Sequence, residues 1–143
     1  MTERMVEAND IDIWTEDFGD PSHTPLLLIM GATASGIYWH EDFVQRLVER
    51  NRYVIRYDNR DTGQSTCFNF DQTPYTLDDM ARDAVGVLDA YDIPSADVAG
   101  ASMGGMIVQA LALQHRSRIN SATIIMSSPL SGGGEQPELS TDD

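Results

Sequence analysis

Lysine is missing altogether from this chain of 143 residues: its nine basic residues are all arginine, against 23 acidic ones, for a formal charge of −14. A chain this acidic, with no basic stripe, is poorly suited to the phosphate backbone of a nucleic acid or to an anionic membrane surface. The acidity fits either a halophile's solvated surface or a solubilising surface combined with a codon preference for arginine. Cysteine occurs once, at Cys67. An internal disulfide is therefore excluded, and with three histidines there are too few ligands for a structural zinc site. No apolar run approaches the ~18 residues of a membrane span. The N-terminal stretch MTERMVEAND has no apolar segment behind it, so no secretory signal is visible. The expectation is a soluble, cytoplasmic domain with neither nucleic acid nor membrane as partner. Hydrophobic residues make up 41%, enough for a packed core in one domain of ordinary size.

The patterning predicts an alternation of strands and helices. Met5–Ala8 and Ile11–Trp14 alternate around Asn9-Asp10, as in a hairpin with one buried face. Pro25–Met30 is apolar without alternation, the mark of a strand buried on both sides. Trp39, Phe43, Val44, Leu47 and Val48 trace a helix ending near Arg50, and Tyr53–Arg56 is a further strand. Leu77, Met80, Ala81, Ala84, Val85, Leu88 and Tyr91 form a helical stripe, opened by a Thr76/Asp79 capping pattern and ended before Pro94. Asp97–Ala101 is a short strand, Met103–His115 a helix apolar almost all round and so expected to be buried, and Ala122–Met126 the next strand. Repeated strand–helix–strand units after a hairpin indicate an α/β fold, with a mostly parallel sheet and helices on both faces. Residues 1–126 are expected to be the core, and 127–143, with Gly132-Gly133-Gly134, a linker or tail.

The most informative segment is Gly100-Ala101-Ser102-Met103-Gly104. It matches G-x-S-x-G between a predicted strand and a predicted helix, which is the context that motif needs. With 11 glycines and 11 serines in the chain, chance supplies only about 0.06 such matches. A sharp strand-to-helix turn strains the serine, flanking glycines remove clashes, and the hydroxyl projects above the sheet. The Met103 N–H at the helix start then points where an oxyanion would form. Gly31-Ala32 follows the buried strand, at the place where a second such donor belongs. Elsewhere, Asp58, Asp61 and Asp71 near Arg56 and Arg60 read as loop-fixing ion pairs rather than metal ligands, and Cys67 as a small buried hydrophobe. A nucleotide site fails for want of G-K-[ST] and because a G-x-G-x-x-G template would need glycine in place of Ser102. No metal and no cofactor are expected.

These residues resemble the α/β-hydrolase family through Met126. Arg56-Tyr-Asp-Asn-Arg-Asp-Thr-Gly-Gln-Ser65 resembles the family's loop after its fourth strand, and its Asp61-Thr62-Gly63 variant, with Met30 in place of the family's common His before Gly31-Ala32, is most similar to the branch around aclacinomycin methylesterase. The resemblance implies a serine hydrolase cleaving a small-molecule ester or related acyl bond through an acyl-serine. It implies Ser102 as nucleophile, and the Ala32 and Met103 amides as oxyanion hole. In this fold the acid and then the histidine follow the serine, yet His115 alone follows Ser102. It stands thirteen residues along the same helix, about 20 Å away at 1.5 Å per residue. His40 and His23 precede the serine. The expectation is therefore a hydrolase truncated before its acid, base, lid and later strands. The alternatives are a non-catalytic remnant that binds a small apolar ligand, and an unrelated α/β domain. Strand 122–126, interior in the family, would become an open edge available for self-association.

Overall fold

Asn9 and Asp10 both have positive φ, at 52° and 65°, the combination that a two-residue hairpin turn requires. They join β1 (Thr2–Ala8) to β2 (Ile11–Phe18), paired antiparallel with Met5 opposite Trp14. The computed structural model describes residues 1–130. Within them follow β3 (Thr24–Ile29), α1 (Glu41–Val48), β4 (Arg52–Tyr57), α2 (Leu77–Ala90), β5 (Ala96–Ala101), α3 (Met103–Gln114) and β6 (Ile119–Ile125). The strand order is β1-β2-β4-β3-β5-β6. β2 meets β4 antiparallel, while β4, β3, β5 and β6 run parallel. The mostly parallel sheet with an antiparallel N-terminal hairpin is thus the architecture that the alternation predicted.

Side-chain alternation along the central strands divides the core in two. Leu27, Ile29, Ile55 and Tyr57 pack with Ala84, Leu88, Ile107 and Leu111 of α2 and α3. Leu28 and Val54 turn the other way, to Phe18, Trp39 and Val44 beneath α1. Helices cover both faces, which is why β3 carries no polar alternation. Thr76 caps α2 reciprocally with Asp79. The Thr76 backbone N–H, chiefly, holds the Asp79 carboxyl below its ordinary value.

The structure differs from the periodicity in several places. The helix expected from Trp39 is a 3₁₀ turn at Gly36–Tyr38 followed by α1, because Trp39 turns inward and His40 takes the cap position. α3 is not buried all round: Leu113 is 76% exposed, since only one face of the helix meets the sheet and α2. The last strand spans Ile119–Ile125, with Met126 outside it at φ 48° and 85% exposed. Of the expected tail, 127–130 is irregular, and Gly132-Gly133-Gly134 lies outside the described residues.

Candidate active site

β3 and β5 are neighbours, with Leu28 beside Ala99 and Ile29 beside Gly100. Their carboxyl ends, at Met30-Gly31 and Ala101-Ser102, therefore emerge side by side. The chain reverses directly from β5 into α3 at Ser102. That reversal needs bare backbone: a Cβ on Gly100 would lie 2.1 Å from the Gly104 carbonyl oxygen, and one on Gly104 would lie 2.2 Å from that of Ile29. α3 therefore rests on β3 backbone to backbone.

Ser102 takes the strain of the turn, with φ 54° and ψ −121°, a conformation costing a side-chain-bearing residue roughly 1–3 kcal/mol. Its backbone is fully engaged. The N–H donates to Ile125 O at 2.9 Å, and the carbonyl accepts from Gly105 N–H at 2.9 Å and from Ser127 Oγ at 2.7 Å. Ser102 is the N-cap of α3, yet its hydroxyl makes no cap bond. Among the described residues the hydroxyl has no hydrogen-bond partner, and the residue is exposed. The surroundings spend no polar contact on it, and the positive end of a twelve-residue helix begins beside it.

The loop after β3 packs against this serine: a Cβ on Gly31 would lie 3.1 Å from Ser102 Cβ and 3.6 Å from Oγ. A turn closes with Ala34 N–H on the Gly31 carbonyl at 3.4 Å, and Thr33 has φ 60°. Neither the Ala32 N–H nor the Met103 N–H donates to a protein acceptor among the described residues. The fold thus brings Ser102, Met103 and the Gly31-Ala32 loop to one end of the sheet.

The acidic loop after β4 is organised differently from the expected ion pairs. Asp58 accepts from Ser35 Oγ, Gly36 N–H and Gln64 N–H at 2.6, 2.8 and 2.9 Å. Asp61 accepts from Phe68 N–H and from the Tyr75 hydroxyl, whose pKa is raised to about 12 by burial and by that bond. Arg60 instead reaches Asp83, and Arg56 reaches Glu16. The carboxylates nearest these arginines in sequence face backbone N–H and hydroxyl donors, while partners from other elements face the guanidinium groups. Asp71 N–H bonds the Asn69 side chain. Among the described residues no three His, Cys, Asp or Glu are grouped to hold a metal. Cys67 is exposed, a correction to the buried position expected of it, because its loop passes over the hairpin rather than under a helix. Asn59 and Ser127 touch this region and carry no local sequence signal.

The three histidines stand apart from Ser102. His115 follows the last turn of α3, His23 lies in the turn before β3, and His40 precedes α1 beside a cleft that it shares with Glu41, Arg46 and Arg56. None bonds Ser102 among the described residues. No helix among those residues is long and apolar enough to cross a membrane.

A family model described as alpha/beta hydrolase fold matches residues 24–139. Rhodomycin D methylesterase DauP of Streptomyces sp. (strain C5) is 42% identical over 130 residues, covering 91% of this chain and 44% of that protein. The putative carbamate hydrolase RutD of Azorhizobium caulinodans is 37% identical over 118 residues, covering 82% and 42%. The crystal structure of a hydrolase from Pseudomonas aeruginosa PA01 superposes with a TM-score of 0.81 at 26% identity, covering 92% of this chain and 48% of that one. The chain spans less than half the length of the curated relatives that it matches.

Proposed function

This chain belongs to the α/β-hydrolase fold family, and from that premise we propose that it carries the nucleophile of a serine hydrolase acting on a small-molecule carboxylic ester. One observation carries the reading: Ser102 is an exposed residue held in a strained turn at the head of α3, and among the described residues its hydroxyl has no hydrogen-bond partner. Strained residues cluster at functional positions, and here the strain falls on the serine of a strand-to-helix turn whose side chain makes no cap bond to offset it. Ser102 Oγ attacks the ester carbonyl while its proton passes to a base. The carbonyl oxygen becomes an oxyanion that the Ala32 and Met103 N–H groups receive. Collapse expels the alcohol and leaves an acyl-serine, which water then cleaves to acid and free serine. The 42% identity to a methylesterase favours a methyl ester as the substrate class.

No histidine of this chain bonds Ser102 among the described residues, so in this reading neither the base nor its acid is one of the groups already placed beside the serine. The 143-residue chain alone should then hydrolyse an activated aryl ester feebly, since donors and binding without a base leave roughly 10³-fold catalysis over water. Labelling by a fluorophosphonate probe is the direct test. Slow labelling at Ser102, abolished in Ser102→Ala, supports the reading, whereas labelling that survives the substitution refutes it. A chain that never labels but retains a small apolar ligand would favour a binding role. Ser102→Gly should also raise stability by about 1 kcal/mol, because glycine relieves the positive φ.

Association with a second copy is proposed for the β6 edge. β6 is exposed along most of its length, Ile124 is 48% exposed, and among the described residues no strand lies beyond it. Such an edge offers unpaired backbone groups to a second chain, and physiological salt screens the acidic surface within ~8 Å. Light scattering at rising salt should report dimers or larger species, and Ile124→Lys should reduce them. Ile124 is the residue to replace because Ile125 packs against the core beneath α1.

A further inference from the structure

We propose that the consecutive residues Asp58 and Asn59 are positioning residues for the oxyanion donor at Ala32, an inference that rests on the reading above. Ala32 sits in a short loop between β3 and the 3₁₀ turn at Gly36–Tyr38, and the loop's own single backbone bond, Ala34 N–H to Gly31 O, is long at 3.4 Å. Such a loop does not set an amide direction by itself. Its two ends are instead gripped from outside. Before the loop, Asn59 Nδ2 donates to the Met30 carbonyl at 2.9 Å, which orients the peptide leading into Gly31. After it, one oxygen of Asp58 accepts both Ser35 Oγ and Gly36 N–H, at 2.6 and 2.8 Å. The other Asp58 oxygen takes Gln64 N–H, and Ser65 Oγ donates to the Asp58 carbonyl at 2.7 Å. The grip is thus anchored in its own loop.

Both residues are nearly inaccessible, at 1% and 3% exposure, so these bonds form where water competes little. Gly31 lies against Ser102 within the gripped segment. Any rotation of the Met30–Gly31 peptide therefore shifts the loop relative to the serine. The alignment matters because a displacement of about 1 Å at a catalytic donor can lower a rate 10²-fold.

The second-order rate of fluorophosphonate labelling of the 143-residue chain, with melting temperature measured alongside, tests this. Asn59→Ala and Asn59→Asp both remove the donor to Met30 and should slow labelling about tenfold. Asp61→Asn loosens the distal part of the same loop, at Phe68 and Tyr75. It should lower the melting temperature and leave the labelling rate unchanged. If Asn59→Ala fails to fold, the near-isosteric Asn59→Asp carries the comparison. Wild-type labelling in folded Asn59 variants, whatever their melting temperature, overturns the positioning role and leaves the proposed function standing. A wild-type chain that never labels at Ser102 overturns both.

Discussion

Gly104→Ala is expected to destabilise the chain by about 3 kcal/mol or more, the upper range for overpacking a fixed site. The new methyl would meet the Ile29 carbonyl oxygen at 2.2 Å, with Ile29 C and Met30 O at 2.8 and 2.9 Å. All three are backbone atoms of the central strand or its end, so no rotamer change can make room. Relief requires α3 to lift from β3, which opens the contacts of Ile107, Val108 and Leu111 in the main core. The same movement would carry Ser102 and the Met103 amide away from the Gly31 loop. Urea denaturation and fluorophosphonate labelling should therefore fail together. Ser102→Ala provides the contrast, removing labelling with stability kept. A Gly104→Ala protein with wild-type stability would mean that α3 and β3 are not in direct backbone contact.

Asp83→Ala should destabilise the chain by about 3–5 kcal/mol, the range for leaving one member of a buried ion pair without its partner. The Arg60 and Asp83 side chains are 7% and 3% exposed. Arg60 donates twice, from Nε at 2.6 Å and from Nη2 at 2.7 Å. The bonds to Asp83 hold the Arg60 guanidinium further above its ordinary pKa, but arginine is protonated even without them, so it cannot shed its charge when the carboxylate is removed. Asn9 Nδ2 also donates to Asp83, at 2.9 Å, which ties the hairpin turn to α2 and the loop after β4. The rings of Tyr75 and Phe68, 4.7 and 5.0 Å from the guanidinium carbon, would offset only about 0.5–2 kcal/mol. Replacing both partners, as Arg60→Met with Asp83→Leu, should be far milder, because no charge is stranded. Equal losses in single and double variants would show that the pair contributes through packing alone.

The sheet and the serine turn were legible because the signals behind them are local. Burial on one face of a strand or helix imposes a period on consecutive side chains, so β3, α2 and the turn at Gly100–Gly104 could each be read within a dozen residues. The resemblance through Tyr57–Ser65 likewise lies in a continuous stretch. Where a helix end or an exposed face depends on neighbours, the period misleads. Leu113 has the apolar character of a core residue, and only the one-sided contact of α3 leaves it in water.

The polar contacts are a matter of tertiary structure alone. Asp58 stands two residues from Arg56 and from Arg60 in sequence, yet it holds Ser35 and Gly36 across 22 to 23 positions, while Arg60 finds Asp83 and Asn9 meets the same carboxylate across 74. No periodicity encodes such partners, because a hydrogen bond is chosen by whichever groups the strand order brings within about 3 Å. By itself the sequence determined that a serine would sit in a strained turn at the carboxyl end of a parallel sheet, since hydrophobic spacing and glycine placement act between near neighbours. Which residues hold the loop facing that serine was decided by the placement of β3 between β4 and β5, because that order sets Met30 and Ser35 beside Asn59 and Asp58.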